Sequence, residues 1–122
     1  MATEVLGLKI GSEVASVDLS AHQYKCVLFT ATGVALTAVN GKCDGVLQNK
    51  PAAGASCTVA VYGKSKVVAA AAILKGANVT VDAAGKVKTA AIGNFILGTA
   101  MEAASADGDI ISVIMTRPGV SA

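Results

Sequence analysis

Along this chain the hydrophobic positions fall in short alternating runs, broken by glycines and small polar residues. Alternation with a period of two places apolar side chains on one face of an extended strand and polar ones on the other. The pattern predicts strands over residues 24–30, 34–38, 57–62 and, after a break at Gly63, 65–69. In the second half it predicts strands over residues 78–82, 86–90, 95–100 and 109–116. Short strands in such close succession, with turn chemistry between them, define an all-β fold, a small barrel or sandwich. Gly33, Gly85 and Gly108 stand in ATGV, AAGK and ADGD, where a tight turn asks for positive φ. Helix has little room. Only residues 69–74 and 101–106 are Ala-rich enough for one or two short helices, and both are flanked by strand signals.

A shift of 52 residues sets Val27 on Val79, Gly33 on Gly85 and Thr37 on Thr89. One inserted residue later Gly45 meets Gly98, and a second insertion brings Gly54 onto Gly108 and Val59 onto Val113. Repeated turn glycines are repeated backbone requirements, so the chain reads as two related β units. They cover about residues 21–63 and 73–116 of a single domain over 21–122. Residues 1–20 stand outside this repeat as an extended N-terminal arm. Leu6, Leu8 and Ile10 alternate there in LGLKIG, as in an edge strand or a segment that orders by pairing with another protein's sheet. These three are the candidate contact residues of the arm.

Composition changes the picture in one respect. The chain has 122 residues, enough for one domain, and 53% hydrophobic against 15% charged residues excludes disorder. Yet only 3% is aromatic, Trp is absent and roughly a fifth is Ala, so each buried position removes little apolar area, at ~25 cal/mol per Å². A small chain with small core residues is marginal alone, and self-association is expected. The net charge of +2 offers no footprint for phosphates, which argues against nucleic acid as partner. The apolar run over residues 67–74 is far shorter than the roughly 18–20 residues that cross a bilayer, so no membrane span is expected. The N-terminus shows no secretory signal, which implies synthesis in a cytoplasm.

Candidate chemistry is thin. His22 is the sole histidine, and Cys26, four residues on, would lie on the same strand face but roughly 13 Å away at about 3.3 Å per residue. Cys26, Cys43 and Cys57 have neither zinc nor disulfide spacing and read as buried thiols. Asp82, Asp107 and Asp109 sit in turn contexts, where the carboxylate bonds nearby backbone; no run of oxygen ligands follows as a calcium loop requires. GKSK, residues 63–66, lacks the spacing of a phosphate loop, and its lysines read as solvent-facing guards of a sheet edge. No catalytic residue, metal site or cofactor is expected, and the profile is that of a structural module.

The segments DLSAHQYKCVLF, GVLQNKPAAGASCTVAVYGKSKVVA, ILKGANVTVDAAGKV and FILGTAMEAASADGDIISVIM, in that order, resemble the head-decoration (capsid cement) proteins of tailed bacteriophages. More narrowly they are similar to short viral chains formerly grouped as a family of unknown function. The resemblance spans about residues 16–116. It implies a homotrimer on the outer surface of an icosahedral head, bridging and stabilising subunits of the major capsid protein. It also implies that the arm meets the shell, with LGLKIG as the matching segment. Two other readings of the residues are a tail or baseplate β-module and a small-molecule-binding β-barrel.

Overall fold

A computed structural model describes residues 8–37 and 42–120. Among them nine strands form a curled antiparallel sheet: β1 (Leu8–Val14), β2 (Cys26–Thr30), β3 (Gly33–Leu36), β4 (Gly45–Leu47), β5 (Ser56–Val68), β6 (Asn78–Val81), β7 (Val87–Thr89), β8 (Phe95–Ala100) and β9 (Ile110–Val120). The order across the sheet is β3-β2-β4-β5-β9-β8-β6-β7, with β1 on β5. This is the all-β, barrel-like architecture that the alternation predicts. The described residues contain no helix, and so none that could cross a membrane.

The two Ala-rich stretches pair with each other instead of coiling. Ile73 N–H donates to the Ala104 carbonyl and Ala104 N–H to that of Ile73, both at 2.9 Å, and both residues are buried. Helix preference separates Ala from ordinary residues by at most about 0.7 kcal/mol per residue, too little to outweigh two backbone bonds and a buried Ile. The two runs read on either side of Gly63 are one strand, because Gly63 (φ 94°) keeps its place in the ladder opposite Met115. β4 escapes the alternation because all three of its residues are buried.

The sheet order reads as one four-strand unit followed by its mirror, and the registers match. Val27 faces Gly45 as Val79 faces Gly98; Val46 faces Ala60 as Thr99 faces Ile114. The correspondence reaches further back than the turn glycines indicate. Val14 faces Ser56 as Val68 faces Ile110, a shift of 54 residues on both strands. Ala15 bridges Val34 as Ala69 bridges Val87. Leu19 N–H donates to the Pro51 carbonyl as Ile73 N–H does to Ala104. Residues 8–14 are therefore a strand of the sheet, and Ala15 and Leu19 behind it are buried in the core. The strand β5 serves both units, its first half holding β1 and β4 and its second half β9.

The cores are built from small side chains. One cluster joins Val67, Ile73, Val79, Leu97, Val113 and Met115 to Cys26 and Val46; the other packs Ala15, Leu19, Val27, Val34, Leu47 and Val59. No aromatic ring is fully buried.

Candidate docking surface

The residues that chemistry would use are held away from it. His22 sits in a turn ahead of β2, where its N–H donates to the Leu19 carbonyl and its own carbonyl accepts from Lys25, so His22 and Cys26 share no strand face. The Lys25 Nζ lies 3.2 Å from His22 Nδ1. Partial burial, then the Lys25 cation, hold the imidazole below its ordinary pKa against the opposing charge of Asp18. Cys26, Cys43 and Cys57 are buried. Cys43 donates to the Gly45 carbonyl at 3.2 Å, and burial, then Glu13, pushes the Cys57 thiol up, away from the reactive thiolate.

The acids tie down backbone. Asp82 accepts from the N–H groups of Ala84 and Lys86 at 2.9 and 3.0 Å, closing the β6–β7 turn. Asp109 accepts from Ser105 N–H, Ser105 Oγ and Ala106 N–H, and these bonds hold its carboxyl below the usual range. Asp107 pairs with Lys86 at 3.0 Å on the exposed surface, a pair of little energetic weight. Among the described residues no three His, Cys, Asp or Glu side chains are grouped to hold a metal ion. Lys64 and Lys66 face solvent in the half of β5 that pairs with β9, where they stand opposite Ile114 and Ser112. Lys66 Nζ lies 5.8 Å from the centre of the Tyr24 ring.

What the molecule offers to a partner is surface, and the matched units act as each other's control. The registers place Leu74 where the first unit has Ser20, Met101 where it has Gln48, and Ile110 where it has Ser56. Leu74 is 79% exposed, Ile110 52% and Met101 37%. They are neighbours in the fold: Gly76 N–H donates to the Ala100 carbonyl, Ile73 pairs with Ala104, and Met101 N–H donates to the Ser112 carbonyl. The second unit thus carries an apolar patch at positions where the first is polar. Alternation could not reveal this, since it separates two faces of a strand without telling which neighbour covers either. Aligning the halves back to Val14 and comparing them position by position would have. Of the predicted arm contacts, Leu6 lies outside the described residues, while Leu8 and Ile10 belong to β1, opposite Tyr62 and Val59 of β5.

A twofold-repeated antiparallel sheet with small-residue cores, acids spent on turns and apolar side chains left on its surface defines a structural β-module. The model of the phage cement protein family matches residues 14–115, and the chain belongs to that family. It is thereby a structural protein of the phage capsid. The fold is also that of the N base of head fiber gp8.5 in bacteriophage phi29, known from a crystal structure. The likeness has a TM-score of 0.73 at 18% identity and covers 96% of this chain and 100% of that one. No curated protein matches the chain by sequence.

Proposed function

We propose that this protein binds the outer surface of an icosahedral phage head as a homotrimer and stabilises the shell by bridging subunits of the major capsid protein. The family match over residues 14–115 carries the reading. The physics of the chain supports it. Small core side chains leave a monomer of 12.0 kDa marginal, and association removes the exposed Leu74, Met101 and Ile110 from water. A three-fold oligomer presents three copies of every contact to a symmetric shell. Weak contacts then act at high effective concentration, so that modest affinity per subunit suffices. The role is mechanical and requires neither catalysis nor a cofactor, in keeping with a lysine-flanked His22 and buried thiols. Synthesis takes place in the host cytoplasm, and the destination is the exterior of the virion.

The N-terminal segment is the proposed contact with the shell, through Leu6, Leu8 and Ile10. β1 begins at Leu8 and pairs with β5, so a chain that starts at residue 8 keeps that strand whole. The test is to add full-length and 8–122 protein to expanded heads that lack it. Binding is read by co-sedimentation and stability by the temperature of DNA release. Full-length protein is expected to bind and to raise the release temperature, and the truncated protein to remain folded but bind at least tenfold more weakly. Full-length protein that stays in the supernatant contradicts the function, and equal binding by the two contradicts the role of the arm.

A further inference from the structure

The contact between the two units is one-sided, and each unit leaves half of it unused. Within the chain, one face of the first unit is covered by the second. The Tyr24 carbonyl accepts from Val68 N–H, Cys26 N–H donates to the Gly85 carbonyl, and Gln48 Nε2 donates to Ser65 Oγ at 2.9 Å. That face is accordingly shielded, with Cys26 buried and Tyr24, Leu36 and Gln48 half-buried. The same registers give its counterparts on the second unit. Tyr24 N–H bonds the Leu47 carbonyl as Gly76 N–H bonds that of Ala100, and both residues have positive φ, 66° and 88°. Cys26 corresponds to Asn78, Leu36 to Thr89 and Gln48 to Met101. Gly76, Asn78, Thr89 and Met101 are all exposed, with Leu74 beside them.

The opposite half of the contact shows the same imbalance. Val68, which the second unit turns toward Tyr24, is 9% exposed, whereas its counterpart Val14 on the first unit is 42% exposed. One face of unit two and one face of unit one thus match, in backbone register, the two sides of a contact the chain already makes.

We infer that a second copy of this chain docks head to tail, the face of its first unit around Val14 seating on the face of the second unit formed by Leu74, Gly76, Asn78 and Met101. The docking repeats between chains the junction that joins the units within one. It carries Val14 N–H onto the Gly76 carbonyl of the neighbour, as Val68 N–H is carried onto that of Tyr24. Gly76, with nothing within 4 Å of the place a Cβ would take, leaves open the space that Tyr24 fills in the first unit. Leu74 and Met101 supply the apolar area that Ser20 and Gln48 do not. A contact between two different faces is heterologous, and such contacts close into rings such as a trimer. The inference rests on the self-association in the proposed function and specifies which surfaces perform it.

The test uses three proteins and light scattering coupled to size exclusion. Leu74→Glu with Met101→Glu puts charge on the face of the second unit, and Val14→Glu blocks the other side. Circular dichroism and thermal melting check that each variant is folded. Wild type is expected to run as a trimer and each variant as the 12.0 kDa monomer, a threefold drop in mass. An equimolar mixture of the two variants is expected to form a dimer, since each supplies the face the other lacks. Folded variants that keep the wild-type mass, or a mixture that stays monomeric, overturn the inference. A monomeric wild type that still coats heads overturns it too and leaves the decoration reading intact. Oligomers joined by these faces that leave heads bare do the reverse.

Discussion

Gly45 and Gly98 hold the same place in their units, and each lets its strand lie close against the next. A Cβ on Gly98 would overlap the carbonyl of Ile114, and one on Gly45 the side chain of Val59 and the carbonyl of Ala60. A clash with backbone cannot be relieved by turning a side chain, so Gly98→Ala is expected to cost at least the ~1–3 kcal/mol of ordinary overpacking. At roughly 4 °C per kcal/mol this lowers the melting temperature by about 10 °C. Gly76→Ala meets no atom within 4 Å and suffers only the ~1–2 kcal/mol of a Cβ in the left-handed region. Thermal melts of the two variants check the order, and equal losses contradict it. At this scale the turn residues were legible: Gly33, Gly85 and Gly108 all have positive φ, because AAGK-type sequences state their own turn. Tyr24, with φ 66°, was not. Nothing local asks for it, and its conformation is fixed by Leu47 and Val68 from distant parts of the chain.

Among the elements, the loop over residues 101–109 shows how tertiary pairing replaces local preference. Its backbone is shaped by Ile73 from one side and by the Asp109 carboxylate from the other. The bonds from Ser105 and Ala106 lower the Asp109 pKa in the folded protein. A depressed folded pKa means stability that is present above the unfolded value, about 3.9, and lost as pH falls through the folded one. Asp109→Asn is therefore expected to melt below wild type at pH 7, with the gap closing as pH drops under about 4. A gap of constant size across that range contradicts the assignment. Most strands could be read from alternation, and residues 95–100 match β8 end to end. β4, buried on every side, could not, and β9 was read only as far as residue 116, since burial by neighbours leaves β4 no period and pairing with β8 carries β9 on past Pro118.

For the whole molecule, the repeated glycines pointed to two units; the registers pair Val27 with Gly45 as Val79 with Gly98, but set Leu36, not Thr37, in the place of Thr89. The place of β1 was hidden because its ladder is irregular. Register shifts between Leu8 and Lys9 and between Ile10 and Glu13 break its likeness to the second half of β5. The family was legible in the order of whole segments, and the family model agrees over residues 14–115. The docking face was not, because Leu74 and Met101 become conspicuous only once their counterparts Ser20 and Gln48 are known. The proposed role is that of an assembly acting on a larger symmetric object. Cryo-electron microscopy of phage heads with and without this protein tests that most directly. The account predicts added trimeric density on the outer surface at three-fold and quasi-three-fold positions; density confined to the interior or the tail, or none at all, would contradict it.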